Sequence, residues 1–119
     1  MIDALVRGLA RSNPDVAAAI VVDADGRAHA SDSASSDLVA SAVAFVVPLR
    51  ELLDRSVAEL GGGALTQSVI EGSDGTFALA DVDGFRTVVL IGVPGTAPGA
   101  LRADARWLAN ELRTTGVAS

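Results

Sequence analysis

The sequence predicts an α+β fold in the order α-β-β-α-β-β-β-α, a five-stranded antiparallel sheet between one long helix and two terminal helices. Three observations point there. Two runs, VAAAIVV (16–22) and FRTVVLIGV (85–93), are apolar on both faces, so they belong at the centre of a sheet covered on both sides. Short Asp/Gly turns join consecutive strands, which makes neighbours antiparallel. Residues 36–60, SSDLVASAVAFVVPLRELLDRSVAEL with the preceding serine, repeat at helical period and are apolar nearly all round in their first half.

Residues 2–12 form a short amphipathic helix, with Ile2, Leu5, Val6 and Leu9 on one side. Asn13-Pro14 closes it, because the residue before proline is pushed out of the α region. After the first central strand, Asp23-Ala24-Asp25-Gly26 supplies turn chemistry, and RAHAS (27–31) returns as a more polar edge strand. Ser35, Ser36 or Asp37 then caps the long helix. At 100° per residue its core arc is Leu38, Ala42, Phe45, Val46, Leu49, Leu52, Leu53 and Leu60. Ala40, Val43, Ala44 and Val47 fall outside that arc, an apolar surplus that predicts contact with another chain. The arc stays in phase across Pro48, so one kinked helix is expected rather than two.

A glycine among Gly61–Gly63 ends the helix as a left-handed cap. LTQSVIE (65–71) is a mixed-polarity edge strand, and Gly72-Ser73-Asp74-Gly75 turns the chain into TFALADV (76–82). Asp83-Gly84 signals a two-residue hairpin leading into the second central strand. A last helix, 100–113, places Leu101, Ala105, Leu108 and Leu112 in phase, and residues 113–119 read as a frayed tail of a single domain spanning 1–119.

Composition narrows the function. The formal net charge is −6, and no basic run interrupts it, which disfavours nucleic acid and anionic membranes as partners. The absence of cysteine excludes thiolate chemistry and suits a cytoplasmic protein. No apolar run is long enough for membrane insertion. His29, the single histidine, cannot build a triad or a multi-histidine metal site. The DADG turn lacks the terminal glutamate of a calcium loop, position 34 being alanine, and no Lys-Ser/Thr follows Gly61–Gly63 as in a phosphate loop. Glu71, Asp74, Asp81 and Asp83 are carboxylates at strand ends with no fixed separation, Arg50 and Arg55 lie on a solvated helix face, and Trp107 projects away from the final helix's apolar stripe. No catalytic residue, metal ligand or cofactor is expected, and the chain reads as a non-enzymatic interaction module.

The hairpin AIVVDADGRAHAS, the long helix ending LGGG and the following LTQSVIEGSDGTFALADV resemble the Roadblock/dynein light chain family over residues 2–113. The resemblance implies a Roadblock/profilin-like fold and a homodimer formed through the long helix and the strand after it. Transferred onto this sequence, the interface comprises Ala40, Val43, Ala44 and Val47 on the helix and Thr66, Gln67, Ser68 and Val69 on the edge strand. Pro48 departs from the family's helix. Bacterial members of this kind regulate or scaffold small Ras-like GTPases without supplying catalytic residues, so a GTPase is the expected partner. The alternative is a small-molecule-sensing module of similar architecture, which would need a deep apolar pocket.

Overall fold

The computed structural model describes residues 2–114 of the chain; the expected tail beyond Thr114 lies outside them. Its elements are α1 (Ile2–Ser12), β1 (Val16–Asp23), β2 (Ala28–Ala30), α2 (Ser36–Glu59), β3 (Gln67–Glu71), β4 (Thr76–Asp81), β5 (Arg86–Gly92) and α3 (Pro98–Thr114). The five strands form one sheet in the order β2-β1-β5-β4-β3, every neighbour antiparallel. The two runs that are apolar on both faces, β1 and β5, sit inside the sheet, as their composition requires. Its two ends differ: β2 is three residues long, whereas β3 presents five residues with one edge unpaired among the described residues.

Side chains alternate between two cores. On one face, Ala19 and Val21 of β1, Ala78 and Ala80 of β4 and Val88 and Leu90 of β5 pack against α1 and α3. There Val6, Leu101, Leu108 and Leu112 are completely buried. On the other face, Ile20, Val22, Leu79 and Val89 meet α2, whose only fully buried residues are Ala42 and Val46.

Local chemistry sets the ends of the elements. The Ser35 hydroxyl accepts from the Leu38 N–H at 3.1 Å, capping α2. Gly61 adopts φ 82°; its N–H donates to the Ala58 carbonyl, and the Gly62 N–H donates to that of Val57. This paired pattern satisfies the helix's last carbonyls and needs a residue free of Cβ strain at Gly61. Pro48 does not break α2, which runs unbroken through it, with the proline ring on the exposed side. The Asp83-Gly84 hairpin is longer than the two residues expected. Val82 N–H donates to the Arg86 carbonyl, and Asp83 Oδ1 accepts from the N–H groups of Phe85 and Arg86, stabilising a loop of three residues.

Candidate functional site

The long helix does not lie on the sheet at the rotation its sequence suggests. The expected core arc is corrected at three positions: Phe45 is 39% exposed, Leu52 52% and Leu60 88%. Val43 and Val47, expected to face outward, are half-buried and pack against the core under α2. Ala40 and Ala44 are exposed. The cause is the β1–β2 hairpin, whose Ala28 and Ala30 join the same core and whose turn rises beside the helix. A Cβ at Gly26 would lie 3.6 Å from Val43 Cγ1, so the turn stands beside that flank with room for little more than one added carbon. Small Ala42 marks the helix's buried line, and the bulkier side chains are displaced to its sides.

The uncovered flank is continuous with the sheet. Phe45 meets Phe77 of β4 edge-on, ring centroids 6.2 Å apart and planes at 63°. Such aromatic pairs favour this geometry because the positive ring edge faces the negative ring face. Ile70, opposite Phe77 in the β3–β4 register, packs on the same side and is half-buried. Phe45, Phe77 and Ile70 therefore form an apolar surface beside the unpaired edge of β3, and exposed Leu52, seven residues after Phe45, lies on the same flank of α2. Thr66 is exposed and precedes β3, while Gln67, Ser68 and Val69 lie within it, all half-buried. Val69 packs into the core of the opposite face, so of the four edge positions it is held by its own chain.

The polar candidates fall into separate structural ties. Arg50 of α2 is ion-paired with Asp81 of β4, and both are mostly buried. Asp83 binds Arg86 through Oδ2, 3.0 Å from Nε and 2.9 Å from Nη2. Burial pushes the Asp83 carboxyl up, but the Arg86 and Phe85 N–H groups and the Arg86 guanidinium outweigh it and hold it below the usual carboxylate value. His29 Nδ1 lies 2.8 Å from Asp3 Oδ1, tying β2 to α1, and that hydrogen bond is the main reason the Asp3 carboxyl is lowered. Glu71 and Asp74 are exposed at the other hairpin, so the four carboxylates are not brought together. In the DADG turn, Asp23 Oδ1 accepts from the N–H groups of Asp25 and Arg27. Among the described residues no group of three His, Cys, Asp or Glu side chains converges to hold a metal ion. Arg55 is exposed, and Trp107, 48% exposed, borders a shallow depression with Leu9 and Pro14. No helix among the described residues is long and apolar enough to cross a membrane.

Sequence reasoning missed Phe45, Leu52, Ile70 and Phe77 as surface. A usable signal was present: the proline ring of Pro48 fits a helix best where it faces solvent, and it lies between Phe45 and Leu52 on the same flank.

The profile of the Roadblock/LC7 domain matches residues 2–91. Among solved structures, the chain is similar to Myxococcus xanthus MglB, with 15% identity and a TM-score of 0.85, covering 99% of this chain and 96% of that one. It is also similar to a Roadblock/LC7 domain from Streptomyces avermitilis, at 18% identity and TM-score 0.82, with 98% of each chain covered. A third, the gliding protein MglB from Thermus thermophilus, is 13% identical with TM-score 0.78, covering 95% of this chain and 86% of that one. A comparison with curated proteins finds no match.

Proposed function

This chain belongs to the Roadblock/LC7 domain family, and from that premise we propose that it is a non-enzymatic, cytoplasmic homodimer that regulates or scaffolds a small Ras-like GTPase. The main support is the apolar surface of Phe45, Phe77 and Ile70 beside the unpaired edge of β3, with Leu52 on the same flank of α2. An open strand edge is a template for another strand, and exposed aromatic and aliphatic groups beside it favour burial. In the dimer two β3 edges pair across a two-fold axis, and the exposed flank of each α2, with Ala40, Ala44, Phe45 and Leu52, closes over the junction. Val43 and Val47 contribute from the side of their own core rather than as the centre of the contact. Thr66, Gln67, Ser68 and Val69 supply the edge.

The GTPase assignment follows from the family's regulatory character and from the likeness to MglB. The polar candidates do not converge on one site: Arg50 and Asp81 are ion-paired with each other, Asp83 holds Arg86 within its own hairpin, and Glu71, Asp74 and Arg55 are exposed and apart from them. The small-molecule reading is not favoured, since both sheet faces are filled by side chains and the surface grooves are of mixed polarity.

Two measurements test this. Light scattering should give the mass of a dimer, and Phe45→Asp with Leu52→Asp should give a folded monomer. Immobilised chain should retain a small GTPase of the same genome in a manner that depends on whether GDP or a GTP analogue is bound. Equal retention in both states, or none for any such GTPase, would remove the regulatory role.

A further inference from the structure

Charge is divided unequally between the layers. All nine cationic residues are arginines. Five of them, Arg7, Arg11, Arg102, Arg106 and Arg113, lie on α1 and α3, against only Asp3, Asp104 and Glu111 on the same helices. Asp3 is taken by His29 and Asp104 by Asn13 at 2.6 Å. The acidic excess of the chain therefore lies elsewhere, on α2, the turns and the loops.

Arg102, Arg106 and Arg113 share one flank of α3, four and eleven residues apart, a row roughly 16 Å long at 1.5 Å per residue. Arg106 and Arg113 wall a groove of about 390 Å³, whose other side is Thr66, Gln67, Ala80 and Asp81. Arg113 donates to the carbonyls of Val82 and Asp81 and to Asn110 Oδ1, all neutral acceptors that leave its charge uncompensated. Arg102 and Arg106 are exposed and make no hydrogen bond or ion pair with described residues. Asp81 borders the groove, but its carboxylate lies on the α2 side of the sheet, ion-paired with Arg50 and accepting from the Gly84 N–H. Glu71, exposed at the far end of β3, is the one acid of that strand and shares the sheet face of Gln67. Helix stability accounts for Arg113, in the last turn where the helix dipole favours a cation, but not for Arg102, which sits toward the end where it favours an anion.

We propose that this groove between α3 and the β3–β4 edge docks an acidic segment of a partner protein, its carboxylates bound by Arg106 in the groove wall and by Arg102, one turn beyond the groove on the same flank of α3. The inference goes beyond the dimer and GTPase reading: Thr66 and Gln67 border the groove and also belong to the proposed β3 edge, but the arginines that bind lie on α3, outside that edge. Guanidinium forks match carboxylates bidentately, and the missing acids on this face are the complement such a segment supplies. Long polyanions fit less well, because they would run off the arginine row onto the acidic remainder of a chain of net charge −6. A short segment stays within a Debye length, about 10 Å at 0.1 M salt, of the row itself.

The test uses the full chain and a labelled short peptide with glutamate at every second position, beside its glutamine counterpart, followed by fluorescence anisotropy. The glutamate peptide should bind and the glutamine peptide should not. Arg102→Glu with Arg106→Glu should weaken binding about tenfold or more, with circular dichroism and Trp107 emission unchanged. Arg102→Gln with Arg106→Gln should give the same direction of loss, and keeps the test decisive should the charge reversal disturb folding. A dimer-breaking change at Phe45 should leave peptide binding measurable, which separates this site from the other reading. Binding of the glutamine peptide, absence of binding by either, or tighter binding to single-stranded DNA or to phosphatidylserine vesicles would each overturn the proposal. So would self-association of the wild-type chain that disappears in the charge-reversed variant, since the occupant would then be a second copy.

Discussion

The two layers over the sheet are built to different standards. Beneath α1 and α3 the core is closed: Val6, Leu101, Leu108 and Leu112 are wholly shielded, and each helix buries a regular stripe. Beneath α2, a helix of 24 residues, only Ala42 and Val46 are fully buried, and Phe45 and Leu52 face solvent. Burying a leucine or phenylalanine side chain is worth about 1.5–3 kcal/mol, so the second layer leaves stabilisation unused within one copy. One layer closes over its side of the sheet, and the other leaves large apolar side chains exposed.

Substitutions can break or sharpen this contrast. The largest effect belongs to the closed layer: Leu108→Ala should destabilise by about 2–5 kcal/mol in urea titration, whereas Leu52→Ala should change monomer stability by no more than about 0.5 kcal/mol. Equal losses would erase the distinction. Next, Phe45→Asp should weaken self-association by about 2 kcal/mol or more, read as a concentration-dependent shift from dimer to monomer in sedimentation, with the fold retained. Val47→Asp places a charge on the half-buried flank of α2 and should cost about 1–3 kcal/mol of stability. If light scattering instead showed only loss of the dimer, with unchanged unfolding, Val47 would belong to the outer surface after all.

Smaller effects sharpen the picture at the ends. Ser35→Ala removes the α2 cap and should cost about 1 kcal/mol. Asp83 has a folded-state pKa below its unfolded value. Its contribution is therefore present above the ordinary carboxylate pKa and is lost as pH falls through the lowered one. Because the side chain is over a third exposed, the contribution is small. Asp83→Asn should slightly flatten the acid limb of a stability-versus-pH curve, its effect at neutral pH being no more than that small contribution.

The sequence was most legible where a local rule acts alone. Glycine at 61 ends α2 because no other residue takes that backbone angle freely, and the stripe of α3 is read directly from its period. The rotation of α2 was not legible for a physical reason. Apolar residues occupy so much of its first half that the pattern is compatible with several orientations, and the height of the β1–β2 hairpin beside Val43 decides among them. That is tertiary information. Likewise the tie between Arg50 and Asp81 joins positions 31 residues apart. The arginine row on α3 was visible in principle from spacing, but its members are diluted by alanine, leucine and asparagine, so no run of basic residues advertises it.

The unequal ends of the sheet limit how far it can grow. β2 offers three residues, too few to template a partner strand well, whereas β3 offers five. Joining through β3 uses up the one serviceable terminus on each side, so the product has nothing left with which to add a third. In the vocabulary of polymers, a subunit that paired through β3 as proposed would be monovalent along its hydrogen-bonding direction, coupling once with no second serviceable edge for fibre growth by strand addition.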